Sequence, residues 1–170
     1  MTPPRLTDAS PDDDAAAVVR RGLDLLLAKD MGGWAALCHD DAVVEFPFAP
    51  PGYPRRLDGR AAVEEYVADY TDHIDLHAFP SVEIHRTTAP ETVIVEMRAT
   101  GRTVATGEPY VMDYIAVVTV RDGRFVRYRD YWNPLALPGS TLDAKSVPSV
   151  PTVPSVPSVP SVPSVPADAA

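Results

Sequence analysis

Tyr110-Val111-Met112-Asp113-Tyr114-Ile115-Ala116-Val117-Val118-Thr119-Val120-Arg121-Asp122-Gly123-Arg124-Phe125-Val126-Arg127-Tyr128-Arg129-Asp130-Tyr131-Trp132-Asn133-Pro134 reads as one long β-hairpin. Two alternating runs, Tyr110–Arg121 and Arg124–Trp132, meet at Asp122-Gly123, a dipeptide that supplies the positive φ angles of a two-residue hairpin loop. With that loop and uninterrupted pairing, Arg121 faces Arg124, Ile115 faces Asp130 and Asp113 faces Trp132. Asp113 and Asp130 then share a face as diagonal neighbours, roughly 7–8 Å apart. Ile115, Val117, Val126, Tyr128 and Trp132 fill the rest of that face, where a carboxylate loses hydration and its pKa rises towards the acid/base range. A three-residue loop with a bulge shifts the pairing by one and sends the two aspartates to opposite faces.

Upstream of the hairpin the period is first helical and then alternating. Ser10-Pro11-Asp12-Asp13 is a helix start, with a capping serine, proline at the first helical position and acidic residues in the first turn. Val18, Val19, Leu23, Leu26 and Leu27 give that helix one apolar face. A short second helix carries Met31, Trp34, Leu37 and Cys38 at three-to-four spacing. Ala42–Phe46 reads as a strand, halted by the prolines of Pro47-Phe48-Ala49-Pro50-Pro51. A third helix enters at Asp58-Gly59-Arg60, with Val63, Tyr66, Val67 and Tyr70 along one side.

After His73 come strands over Ser81–Thr88, Glu91–Val104 and the two arms of the hairpin. Short turns separate the last three, which makes them antiparallel neighbours in a meander. Helices first and an antiparallel sheet afterwards is the α+β pattern. A bent sheet wrapped on helices leaves a cone-shaped cavity, a natural place for a small-molecule site.

The chain of 170 residues divides into a disordered N-terminus (1–9), one domain (10–142) and a low-complexity tail (143–170). From Ser146 to Pro166 the triplet Ser/Thr-Val-Pro repeats seven times. Proline at every third position removes backbone donors, so the tail is expected to be a disordered spacer favouring polyproline II. A net charge of −9 argues against nucleic acid. No apolar run is long enough to span a membrane and no signal-peptide core opens the chain, so a cytoplasmic location is expected. The single cysteine, Cys38, excludes an internal disulfide framework and reads as a buried packing residue.

The chemistry-bearing residues are few. His73 and His77 are the one i, i+4 histidine pair, but no carboxylate follows at ligand spacing, and no metal is expected. Neither a phosphate-cradling glycine loop nor a G-x-S-x-G elbow is present. Asp130 is the leading catalytic candidate, Asp113 a second acid and His77 a residue for the cavity mouth. Glu45 alternates with Val43 and either points inwards or pairs with an arginine. Trp34, Phe46, Tyr66, Tyr128 and Trp132 join Glu45 as candidate substrate-binding side chains, as much core as cavity wall.

Asp40-Asp41-Ala42-Val43-Val44-Glu45-Phe46-Pro47, Leu57-Asp58-Gly59-Arg60, the Tyr110 strand and Arg129-Asp130-Tyr131-Trp132-Asn133-Pro134-Leu135 together resemble the SnoaL-like branch of the nuclear-transport-factor-2-like superfamily. The resemblance implies a cone-shaped α+β fold, three helices against a curved antiparallel sheet, and a homodimer joined through the outer sheet face. It also implies acid/base chemistry without metal or organic cofactor, as in the polyketide cyclases, ketosteroid isomerases and phenazine-biosynthesis A/B proteins. Asp130 matches the last-strand carboxylate of the cyclases and phenazine proteins. His77 or His73 matches the phenazine histidine, and Asp113 resembles the oxyanion-holding aspartic acid of ketosteroid isomerase. Two positions depart: the isomerase base would stand at Phe46 and its oxyanion tyrosine near Gly22. The expected function is an isomerase, cyclase or dehydratase for a hydrophobic carbonyl-bearing metabolite. The alternative is a non-catalytic binding or dimeric accessory protein of the same fold.

Overall fold

The computed structural model describes residues 14–136. The Ser10 helix cap, the N-terminal segment and the Ser-Val-Pro tail lie outside the described residues. So do the limits drawn for the domain.

Helix α1 (Ala15–Leu27) buries Ala15, Val18, Val19, Gly22 and Leu23, a three-to-four spacing that turns one apolar stripe to the core. Lys29, at a φ of 61°, breaks the helical path, and the Asp30 side chain then accepts from the Gly33 amide at 2.7 Å. That bond caps helix α2 (Met31–Ala36) by satisfying one of its free N–H groups. Helix α3 (Arg60–Val67) follows Gly59, and a single turn, α4 (Tyr70–His73), leads into the sheet.

Six strands form one open, curved sheet: β1 (Cys38–Glu45), β2 (Arg56–Asp58), β3 (Ile74–Arg86), β4 (Thr92–Thr103), β5 (Pro109–Arg121) and β6 (Arg124–Trp132). Their order is β2-β1-β6-β5-β4-β3, with β3 to β6 an antiparallel meander as expected. The β1–β6 pair, however, runs parallel. Parallel neighbours need a long crossover, and the whole stretch from α3 to β5 provides it. Bulges in the β3–β4 ladder between Leu76 and Ala78 and between Ala78 and Ser81 bend the sheet over the helices. Gly101 stands at this bend because a Cβ there would lie 2.1 Å from the Asp75 carbonyl oxygen.

Several boundaries differ from the sequence expectation. Cys38 opens β1 instead of closing α2; it is buried, and burial lifts its thiol pKa to about 11. Strand β3 begins at Ile74, well before Ser81, so His73 ends a helical turn while His77 sits in a strand. The two histidines therefore share no helical face.

The hairpin loop is as expected, with Asp122 and Gly123 at φ of 51° and 68° and Arg121 opposite Arg124. Its register is not. Val120 pairs with Phe125, but Thr119 pairs with Arg127, so Val126 is an extra residue on β6. Beyond this bulge Ala116 stands opposite Asp130 and Tyr114 opposite Trp132. The shift reverses the facing of β5 relative to the uninterrupted pairing. Tyr110, Met112, Ala116, Val118 and Val120 are buried, while Asp113 and Ile115 are exposed. The core is closed by Trp34, Phe125 and Tyr128, whose ring centroids lie 5.7–5.9 Å apart. Gly22 of α1 packs on this cluster: a Cβ there would meet Phe125 Cζ at 3.2 Å and Trp34 Nε1 at 3.4 Å.

Candidate active site

Between the helices and the inner sheet face lies a cavity of about 220 Å³. That is room for about seven waters at roughly 30 Å³ each, the scale of a small ring compound. Trp34, Met31 and Leu26 close it from the α1–α2 side, and Val63, Tyr66, Val67 and Tyr70 from α3 and α4. The sheet contributes Val44, Met97, Ala99, Tyr110, Met112, Tyr114, Tyr128, Asp130 and Trp132. Tyr53 and Tyr66 are partly exposed at the wall. Tyr53 packs edge-on against Trp132 at 5.9 Å, and Phe46 against Tyr66 at 5.2 Å.

Asp130 is the one charged residue among the described residues that line this cavity. Its Oδ1 is shielded from solvent and has no hydrogen-bond partner among the described residues. Burial pushes its pKa up to about 7, because no cation or donor compensates the ionised form. A buried polar atom without a partner costs free energy, and such atoms are rare in folded proteins except where a function retains them. The surrounding tyrosines are shifted upwards too. Burial is the main cause for Tyr66, Tyr70, Tyr110, Tyr114 and Tyr128, and the nearby Asp130 charge adds to each. All five phenols thus stay protonated at neutral pH, and the Tyr110 and Tyr114 hydroxyls are hydrogen-bonded to each other.

The sequence candidates separate into two groups. Asp130, Trp34, Phe46, Tyr66, Tyr128 and Trp132 all line the cavity. Asp113 does not: it lies on the outer face, where Arg98 donates to its two oxygens at 2.7 and 2.9 Å. That fork holds its carboxyl below the usual range, the opposite of an oxyanion-holding acid. The Val126 bulge is the cause of the misplacement. His77 is likewise outside; it projects from β3 with its Nε2 2.9 Å from Asp75 Oδ2. Glu45 pairs with Arg127 Nη2 at 2.7 Å and with Arg56 Nη1 at 3.7 Å, the arginine alternative considered for it.

Four lining tyrosines, Tyr53, Tyr70, Tyr110 and Tyr114, are absent from the sequence list of site residues. For the two on β5 a signal existed. Tyr110, Met112, Tyr114, Ala116, Val118 and Val120 form an alternating set without a charge, whereas the complementary set carries Asp113 and Thr119. Burying the uncharged set is the cheaper choice. On the outer face, Glu83, His85 and Glu96 offer ligand atoms within 4.8 Å of one another, across the sheet from the cavity. None of the helices in the described residues is long and apolar enough to cross a membrane.

A single shielded carboxyl group thus stands in an aromatic cavity on a helix-backed curved sheet. Residues 19–128 match the SnoaL-like domain, and the chain belongs to that family. It is 43% identical over 125 residues to YesE, an uncharacterized protein of Bacillus subtilis, covering 74% of this chain and 85% of that protein. An uncharacterized PhzA/B-like protein of Pseudomonas aeruginosa is 36% identical over 138 residues, 79% of this chain and 97% of its own length. Among solved structures, a candidate isomerase from Bacillus subtilis superposes with a TM-score of 0.70 at 44% identity, covering 72% of this chain and 88% of that one. A candidate polyketide cyclase from Xanthomonas campestris shares the fold, with a TM-score of 0.61 at 21% identity over 70% of this chain and 90% of its own.

Proposed function

We propose that this protein is a cofactor-independent acid/base enzyme, of isomerase or cyclase type, acting on a hydrophobic carbonyl-bearing small molecule. The observation that carries the reading is Asp130: a lone carboxyl group, unpartnered at Oδ1, in an otherwise uncharged aromatic cavity, with a pKa of about 7. Such a group is divided between its acid and base forms at neutral pH, where general acid–base catalysis is most effective. The kinship with a candidate isomerase at 44% identity supports the same class of reaction. Secondary metabolism is the setting in which such cyclisations and isomerisations of carbonyl compounds are common.

The test needs no knowledge of the natural product. A panel of cyclic ketones and β-dicarbonyl compounds is incubated with the protein in deuterated water, and exchange at the carbon next to the carbonyl is followed by NMR. Wild type accelerates exchange for at least one member, and Asp130→Asn lowers that rate by about a hundredfold or more. Equal rates in the two proteins, or no exchange above background across the panel, would favour a non-catalytic binding protein.

We also propose that the protein assembles as a homodimer through the outer sheet face. Val111 and Ile115 are 52% and 47% exposed there, and Arg129 Nε is shielded without a partner. Apolar residues and an unpaired donor on one face suit burial against a second copy. A monomer in sedimentation at micromolar concentration contradicts this.

A further inference from the structure

We propose that the Tyr110–Tyr114 hydroxyl pair is the donor that holds the substrate's carbonyl oxygen, and that the substrate is an uncharged enolisable ketone or aldehyde. This rests on the acid/base reading of Asp130 and adds to it the group that receives the developing negative charge.

The geometry comes from the bulged register. Tyr114 is the diagonal cross-strand neighbour of Asp130 on the inner face, since Ala116 stands directly opposite it. Diagonal neighbours are separated by roughly 7–8 Å, and both Tyr114 and Asp130 line the cavity. Tyr110 and Tyr114 are four residues apart on one strand, so they share that face with Met112 between them, and their hydroxyls meet.

Two hydroxyls carry two protons. Their mutual bond uses one, and the second finds no acceptor among the described residues. A donor is therefore free to serve a ligand. Both phenols are shifted upwards, which keeps the proton on oxygen at neutral pH. The lining holds no lysine, arginine or histidine, so nothing there would neutralise a carboxylate or phosphate substrate. A neutral molecule enters such a cavity at least cost, and negative charge arising during reaction must be met by neutral O–H donors.

The step balances without a co-reactant. The Asp130 carboxylate takes a proton from the carbon beside the carbonyl. The C–H electron pair becomes a C=C bond while the carbonyl π pair moves to oxygen, which accepts the tyrosine hydrogen bond. Asp130, now a carboxylic acid, returns its proton to the same carbon or to a conjugated one. Electrophilic assistance of this kind is strongest in a water-poor site, where the donor is already in place.

The test uses 2-naphthol, whose oxygen on a flat ring imitates the enol, and naphthalene, which lacks that oxygen. Binding is measured by fluorescence to wild type, Tyr114→Phe, Tyr110→Phe and Asp130→Asn. We expect 2-naphthol affinity to fall about tenfold or more in each tyrosine variant, with naphthalene affinity unchanged. Asp130→Asn keeps the preference for 2-naphthol over naphthalene. Tyrosine variants that bind 2-naphthol as wild type does, a loss equal for both ligands, or no 2-naphthol binding by wild type would each overturn the assignment. The two tyrosine variants serve as independent tests should one fail to fold. Because no turnover is read, a failure here is separate from a failure of the exchange experiment with Asp130→Asn.

Discussion

Ala116, rather than Ile115, stands opposite Asp130 across the last hairpin. One residue decides this. Val126 is extruded from the β6 ladder, and every pairing beyond it moves by one position. Because side chains alternate along a strand, the shift carries Asp113 to the outer face and brings Tyr110 and Tyr114 beside Asp130. The candidate site therefore has one carboxyl group amid hydroxyls instead of two coupled carboxyl groups, and no split titration of paired acids is expected.

Stability should depend on pH through Asp130. Its folded-state pKa, about 7, lies above the ordinary 3.8 of an exposed carboxyl. Between those values the folded form holds a proton that the unfolded chain releases, so stability falls as pH rises. Its contribution is complete at low pH and lost by the time pH has passed through the folded pKa. The span corresponds to a loss on the order of 4 kcal/mol. Thermal midpoints of wild type and Asp130→Asn, measured from pH 4 to 8, isolate the effect from the other carboxylates. The variant should gain on wild type steadily over that range; parallel curves would contradict the raised pKa.

Asp113→Asn should leave the cavity chemistry unchanged. Its partner is the exposed Arg98, and the sheet separates the pair from Asp130. We expect an unaltered titration of Asp130, followed by carboxyl NMR or by the pH profile of deuterium exchange. A displaced titration would mean that the two aspartates interact after all.

Gly22→Tyr would place a phenol near the position where this sequence departs from the ketosteroid isomerase pattern. Here it should destabilise, because even a Cβ meets Phe125 Cζ at 3.2 Å. A phenol in that space forces the Trp34–Phe125–Tyr128 cluster apart, at a cost of about 3 kcal/mol or more. A thermal midpoint equal to wild type would show that the helix can give way. The Phe125 and Trp34 rings already lie against that position in the core.

Much of the molecule was legible in the residues themselves. The Asp-Gly dipeptide set the hairpin loop, the change from three-to-four spacing to alternation set the α+β order, and the apolar setting of Asp130 marked it out. Each of those signals is local, carried by neighbours along the chain. The short strand β2, with only Arg56, Leu57 and Asp58, offers too few residues for alternation to register. The parallel seam between β1 and β6 joins segments some eighty residues apart and leaves no local pattern.

The same division explains the site. Sequence alone determined that a carboxyl group lies on the apolar, aromatic-rich face of the final strand, and it assembled six of the cavity's side chains from helix faces and strand alternation. The uncharged alternation from Tyr110 to Val120 hinted at which face of β5 turns inwards, but tertiary structure decided that Asp113 and His77 point away and that Tyr110 and Tyr114 point in. A bulge costs one unpaired residue wherever it forms, and its position is chosen by how both sheet faces pack, with Phe125 and Tyr128 each seated in the core on either side of Val126. That choice is made by long-range packing, which the order of residues in one strand does not record.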